Sequence, residues 1–78
     1  MPSVMRVGPY RLFFYSADVA EPAHIHVERD DLIAKFWLVP VRLASSGGYK
    51  RAELRDIERI VAGHRDRLVE AWHDHFGN

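Results

Sequence analysis

The stretch His24-Ile25-His26-Val27-Glu28 has the clearest chemical content in this sequence. Side chains alternate along an extended strand, so His24, His26 and Glu28 share one face and Ile25 and Val27 the other. Two imidazoles at that spacing can bind a metal or move a proton. Zinc needs three or four ligands, and Glu28 lies on the same face; His64, His73 and His75 join only if their element reaches that side. The same pair can serve as acid and base in phosphodiester cleavage through a 2′-hydroxyl. Lys35 or Arg11 would then meet the phosphate, and Trp37 and Tyr15 would stack on unpaired bases. A third reading is a protein interface, because Tyr15, Trp37, Phe13 and Arg11 are residue types that dominate binding energy. The plain alternative is two strand histidines packed beside Trp37 and Tyr15.

These residues need a scaffold, and the chain offers a small one. Its 78 residues suit one domain with one core, 1–78, and a composition of 47% hydrophobic and 28% charged residues is that of a globular chain. There is no cysteine to staple the fold or bind a metal. With 11 basic and 11 acidic residues the formal charge is zero, which does not indicate a globally basic nucleic-acid binder. The N-terminal residues lack the pattern of a signal peptide, and no apolar run is long enough to span a membrane. A cytoplasmic location is the expectation, with no membrane partner and no cofactor.

Strands are expected over about 4–44. Val4 to Val7 and Tyr10 to Ser16 flank the turn signal Gly8-Pro9. Residues 17–23 read as a loop. His24 to Glu28 and Leu32 to Val39 form a hairpin about Arg29-Asp30-Asp31, without the Gly that would strengthen its turn. In the return strand Leu32, Ala34, Phe36 and Leu38 should pack with Ile25 and Val27, while Ile33, Lys35, Trp37 and Val39 share the histidine face. Val41 to Ala44 gives a last edge strand, and 45–49 reads as a linker. From about 50 to 76 the apolar period becomes helical, through Leu54, Ile57, Val61, His64, Leu68, Trp72 and Phe76. A straight helix of that length would span about 40 Å, against about 23 Å for a seven-residue strand. Gly63 is the position where it would bend or break, and Gly77 is a natural stop. The expected fold is α+β: an antiparallel meander of four or five strands with one long C-terminal helix packed on the face opposite the histidines.

The helix has further polar features. Arg51, Arg55 and Arg59 form a basic stripe, diluted by Asp56 and Glu58 into an ordinary solvated face. His64 falls in the apolar stripe and reads as a boundary core residue. Glu70 and His73 resemble one arm of a carboxylate-bridged metal site, but only one copy exists.

Several blocks together resemble the DUF4160 family. They are Glu21-Pro22-Ala23-His24-Ile25-His26-Val27, Ala34-Lys35-Phe36-Trp37-Leu38, Glu53-Leu54 with Ile57, Ile60-Val61 and Trp72, and the opening Arg11 and Phe13-Phe14-Tyr15-Ser16. The resemblance covers nearly the whole chain. It implies a small bacterial protein of uncharacterised function, often encoded beside a DUF2442 protein, a pairing read as toxin–antitoxin in type. One departure is Lys50, where family members commonly have Ser at the helix start; Lys cannot accept a hydrogen bond from first-turn amides. The reading carried forward is association with a second copy or a cognate small protein. A metal-independent ribonuclease using His24, His26 and Lys35, with RNA as partner, is the alternative, and a metal-binding role for the same histidines is the next.

Overall fold

The computed structural model describes residues 3–77. Five strands, β1 (Ser3–Val7), β2 (Tyr10–Phe13), β3 (His24–Arg29), β4 (Leu32–Leu38) and β5 (Val41–Ser45), form one sheet in chain order, with each neighbouring pair antiparallel. A short 3₁₀ turn over Ser16–Ala20 lies between β2 and β3. Two helices follow, α1 (Arg51–Gly63) and α2 (Arg65–Phe76). This is the expected α+β meander, with five strands and with the C-terminal helix split in two.

Alternation explains the sheet. Leu12, Ile25, Val27, Ala34, Phe36 and Leu38 are fully buried on one face, where α1 adds Ile57 and Val61 and α2 adds Leu68 and Trp72. The β3–β4 hairpin closes in two residues without glycine because Asp30 adopts a left-handed φ of 56°, which Asp tolerates better than most side chains. The register is set by pairs such as His26↔Lys35 and His24↔Trp37.

The C-terminal helix is interrupted between Gly63 and Arg65. Its expected length of about 40 Å exceeds the 34 Å of the molecule's longest dimension. The pivot is His64, at φ −114° and ψ 14°, beside the Gly63 that the sequence marks as the weak point. The His64 ring donates from Nδ1 to the Ile60 carbonyl at 2.9 Å, competing with the helical ladder. Arg65 then donates to the Leu38 carbonyl at 3.1 Å, tying the start of α2 to the end of β4.

The 45–49 segment is more than a linker. Tyr49 is buried, and its hydroxyl lies 3.1 Å from the carbonyl oxygens of both Val27 and Leu32. Gly47 is required where it stands: a Cβ there would lie 1.8 Å from the Ile33 carbonyl oxygen. The Lys50 N-cap makes no side-chain cap, as the sequence suggests. The first turn of α1 is instead held through Glu53, which takes a two-pronged contact from Arg29 at 2.6 and 2.8 Å and a hydrogen bond from the Tyr10 hydroxyl at 2.8 Å.

Candidate functional site

The polar sheet face is assembled as its strand alternation requires. Arg11 pairs with Glu28 across β2 and β3, Phe13 with His26, and His26 with Lys35. That face is roofed by the chain itself. Residues 15–22 fold back over it, and Asp18 sits at their centre. The Tyr15 amide donates to Asp18 Oδ2 at 2.8 Å, which aims the carboxylate at the histidines. His24 Nε2 and His26 Nε2 each lie 3.2 Å from that same oxygen. The His26 ring stacks on Phe13 at 5.4 Å and meets the edge of Tyr15 at 4.7 Å.

His24 lies deeper than strand alternation alone suggests. It has no exposed surface, because it stands at the start of β3, where the bend at His64 lets α2 reach the sheet. Trp72 of α2 lies 5.0 Å from its ring, Trp37 5.6 Å and His26 5.1 Å. Both helices pack on the Ile25 and Val27 face, as expected, and at the start of β3 the Trp72 ring of α2 reaches His24 as well. The contribution of α2 at His24 is an indole and not a ligand. His73 and His75 lie exposed near the end of α2, and His75 packs against Phe14.

The polar groups of His24 are unevenly served. Its Nδ1–H donates to the Pro22 carbonyl at 2.8 Å, which leaves Nε2 as the acceptor nitrogen of the neutral ring. That nitrogen is buried without a hydrogen-bond partner. Its neighbour at 3.2 Å is Asp18 Oδ2, a second acceptor, and the pair lacks hydrogen-bond alignment. An orphaned buried acceptor of this kind costs about 1–3 kcal/mol. His26 does align with Asp18 and donates to it. Burial pushes the His26 imidazole below its ordinary value, with the pull of Asp18 acting in the opposite direction.

The other expected site residues are brought near but already have partners. Lys35 makes an ion pair with Glu21 and lies over the Trp37 ring at 4.6 Å; that ion pair holds the Glu21 carboxyl below its usual range. Arg11 bonds Glu28 at 2.8 Å and Ser3 at 3.0 Å, and covers Phe13, which is fully buried. Trp37 is half-buried. Tyr15, at 36% exposure, is the aromatic of the group that most faces solvent. A general acid or base must touch its substrate, and His24 presents no atom to solvent in this arrangement. A groove of about 350 Å³, lined by Ser3, Val4, Phe14, Ala71, Asp74 and His75, lies elsewhere and includes neither strand histidine.

Asp18 is the functional candidate that sequence reasoning missed. It lies in a segment without apolar period, and the only local signal was an acidic residue six positions before His24. The family model described as "Domain of unknown function (DUF4160)" matches residues 10–73, which take in β2 through most of α2 and every residue of this cluster. The chain belongs to that family. No curated protein and no solved structure matches it. The region matched to DUF4160 thus includes Asp18, His24, His26, Lys35 and Trp37 as one spatial group, along with the Glu53 anchor of α1.

Proposed function

We propose that this DUF4160 protein acts by associating with another protein chain, a second copy or a cognate small partner, as one component of a toxin–antitoxin-type pair in the cytoplasm. The observation that carries this reading is the outer edge of β5. Among the described residues no strand pairs with that side, so its backbone donors and acceptors are available for strand addition. A register irregularity opposite Lys35 and Phe36 interrupts the pairing of β5 with β4, but apolar side chains stay exposed along the edge. Leu43 within it is 43% exposed and Val39 at the preceding turn 59% exposed, with Arg42 as its one charge. Exposed apolar side chains beside an open edge favour pairing with another chain. The polar face supports the same reading indirectly, since its histidines are buried and Lys35 and Arg11 are paired within the chain. The ribonuclease reading has less support, because it needs His24 at a substrate.

Sedimentation of the pure protein, alone and mixed with the product of the adjacent gene, tests this. The expected result is a dimer or a complex, weakened at least tenfold by Leu43→Lys, which places a blocking charge on the edge. A protein that stays monomeric in both samples would refute the proposal.

A further inference from the structure

We propose that Asp18, His24 and His26 form a site for one divalent transition ion of the zinc class, which clamps the 15–22 segment onto β3. The donor atoms of the three residues all lie within 4.8 Å of one another. The two carboxylate-to-imidazole separations are 3.2 Å. Ligands at zinc–nitrogen and zinc–oxygen distances of about 2.0–2.1 Å, in tetrahedral directions, are separated by about 3.3 Å. Both imidazole-to-carboxylate separations therefore match those of ligands around a single ion, with the two imidazole nitrogens within 4.8 Å of each other.

The unpartnered nitrogen of His24 selects a metal over an ordinary hydrogen bond. A hydrogen bond needs the ring N–H directed along the line to its acceptor. Chelation needs two lone pairs that converge on a third point. His24 Nε2 and Asp18 Oδ2 are 3.2 Å apart but out of hydrogen-bond line, so neither satisfies the other and both can serve a third atom between them. Outer contacts fix both donors. The Pro22 carbonyl takes the Nδ1–H of His24 and so commits Nε2 as the ligand, and the Tyr15 amide holds the carboxylate. Metal-bound histidines are commonly oriented by such contacts to backbone carbonyls. On binding, the ion takes the place of the Nε2 proton of the neutral His26 ring, and Nδ1 takes up a proton in exchange, so the ring changes tautomer and stays neutral.

Two imidazoles and one carboxylate suit Zn²⁺, Co²⁺, Ni²⁺ or Fe²⁺ and are a poor match for Ca²⁺ or Mg²⁺, which favour all-oxygen shells. Trp72, Trp37 and Phe13 close the inner side of the cluster. His26 retains 9% exposure and the Asp18 side chain 13%, which leaves an entry for the ion and for a completing water. In a chain with no cysteine, such an ion would join a loop to the sheet as a disulfide does elsewhere.

The test uses the full chain without a histidine tag, stripped with a chelator and titrated with Co²⁺ and Zn²⁺. The expected result is one Co²⁺ per chain with visible d–d absorption, abolished by Zn²⁺. At a hundredfold excess over its dissociation constant, Zn²⁺ should raise the melting temperature by at least about 10 °C. Asp18→Asn and His26→Gln should each weaken Co²⁺ binding at least tenfold, with far-UV circular dichroism showing that they fold. The double variant His73→Ala/His75→Ala should bind as the wild type does. Absence of Co²⁺ absorption and of a Zn²⁺ melting shift in the wild-type protein would overturn the proposal. So would binding that survives in Asp18→Asn and His26→Gln but is lost in the α2 double variant.

Discussion

Replacing Tyr49 with Phe probes how the hairpin bearing the histidines is attached to the rest of the fold. The Tyr49 hydroxyl sits 3.1 Å from the carbonyl oxygens of Val27, on β3, and Leu32, on β4, and the residue is only 5% exposed. Removing the hydroxyl while keeping the ring should cost about 1–2 kcal/mol near pH 8, the worth of a buried hydrogen bond. The phenol also makes stability depend on pH. Burial, then the nearby Glu53 carboxylate, pushes its pKa from 10.0 up to about 12 in the folded state. The folded protein thus holds this proton more tightly than the unfolded chain. The resulting stabilisation is complete below pH 10 and is lost as pH rises to about 12. That shift corresponds to about 3 kcal/mol. Tyr49→Phe lacks this loss, so it should be less stable than the wild type near neutrality and more stable at the alkaline end. Urea unfolding followed by circular dichroism across that range should give two curves that cross between pH 10 and 12. Tyr10, whose pKa burial and the Glu53 hydrogen bond also push up, is present in both proteins and cancels. Parallel curves, or equal stability near pH 8, would refute the assigned role of the hydroxyl.

Two further substitutions test other joints. Gly47→Ala places a Cβ 1.8 Å from the Ile33 carbonyl oxygen at a φ of +60°, so the loop must move; thermal unfolding should show a loss of about 3 kcal/mol or more, beyond the 1–2 kcal/mol of left-handed strain alone. Glu53→Gln weakens the link between α1 and the sheet. The Arg29 guanidinium, then the Tyr10 hydroxyl, hold the Glu53 carboxyl below its ordinary 4.5, so this stabilisation is present above that pH and is lost as pH falls through the lowered folded value. The variant should start less stable at neutral pH and show a shallower loss on acidification, as measured by urea unfolding over that window.

The strands were readable from sequence because alternation is a local property. Leu32, Ala34, Phe36 and Leu38 share a face for the same reason in the sequence and in the sheet. What alternation could not supply is depth. It assigned His24 to the polar face, but whether that position is open depends on Trp72, which is 48 positions away and arrives there only because the helix turns at His64. Asp18 was missed for a related reason: its place over β3 is set by the 3₁₀ turn and the Tyr15 amide, which leave no periodic trace. Tyr49 looked like part of a linker because it follows Ser-Ser-Gly-Gly, yet those glycines permit the close approach that buries it. The helical stripe was correct in nearly every member, and the break came one residue after the glycine that signalled it.

The chain-order sheet also bears on how the molecule reaches its native state. Every strand pairs with its immediate neighbour in sequence, so each pairing closes a short loop, and the hairpins can form in any order without waiting for distant chain. The contact between Trp72 and His24 is different. It requires the meander, the turn at His64 and the docking of α2 to be in place together. The same indole that seals His24 therefore ties the histidine cluster to the last element of the chain, 48 positions away in sequence.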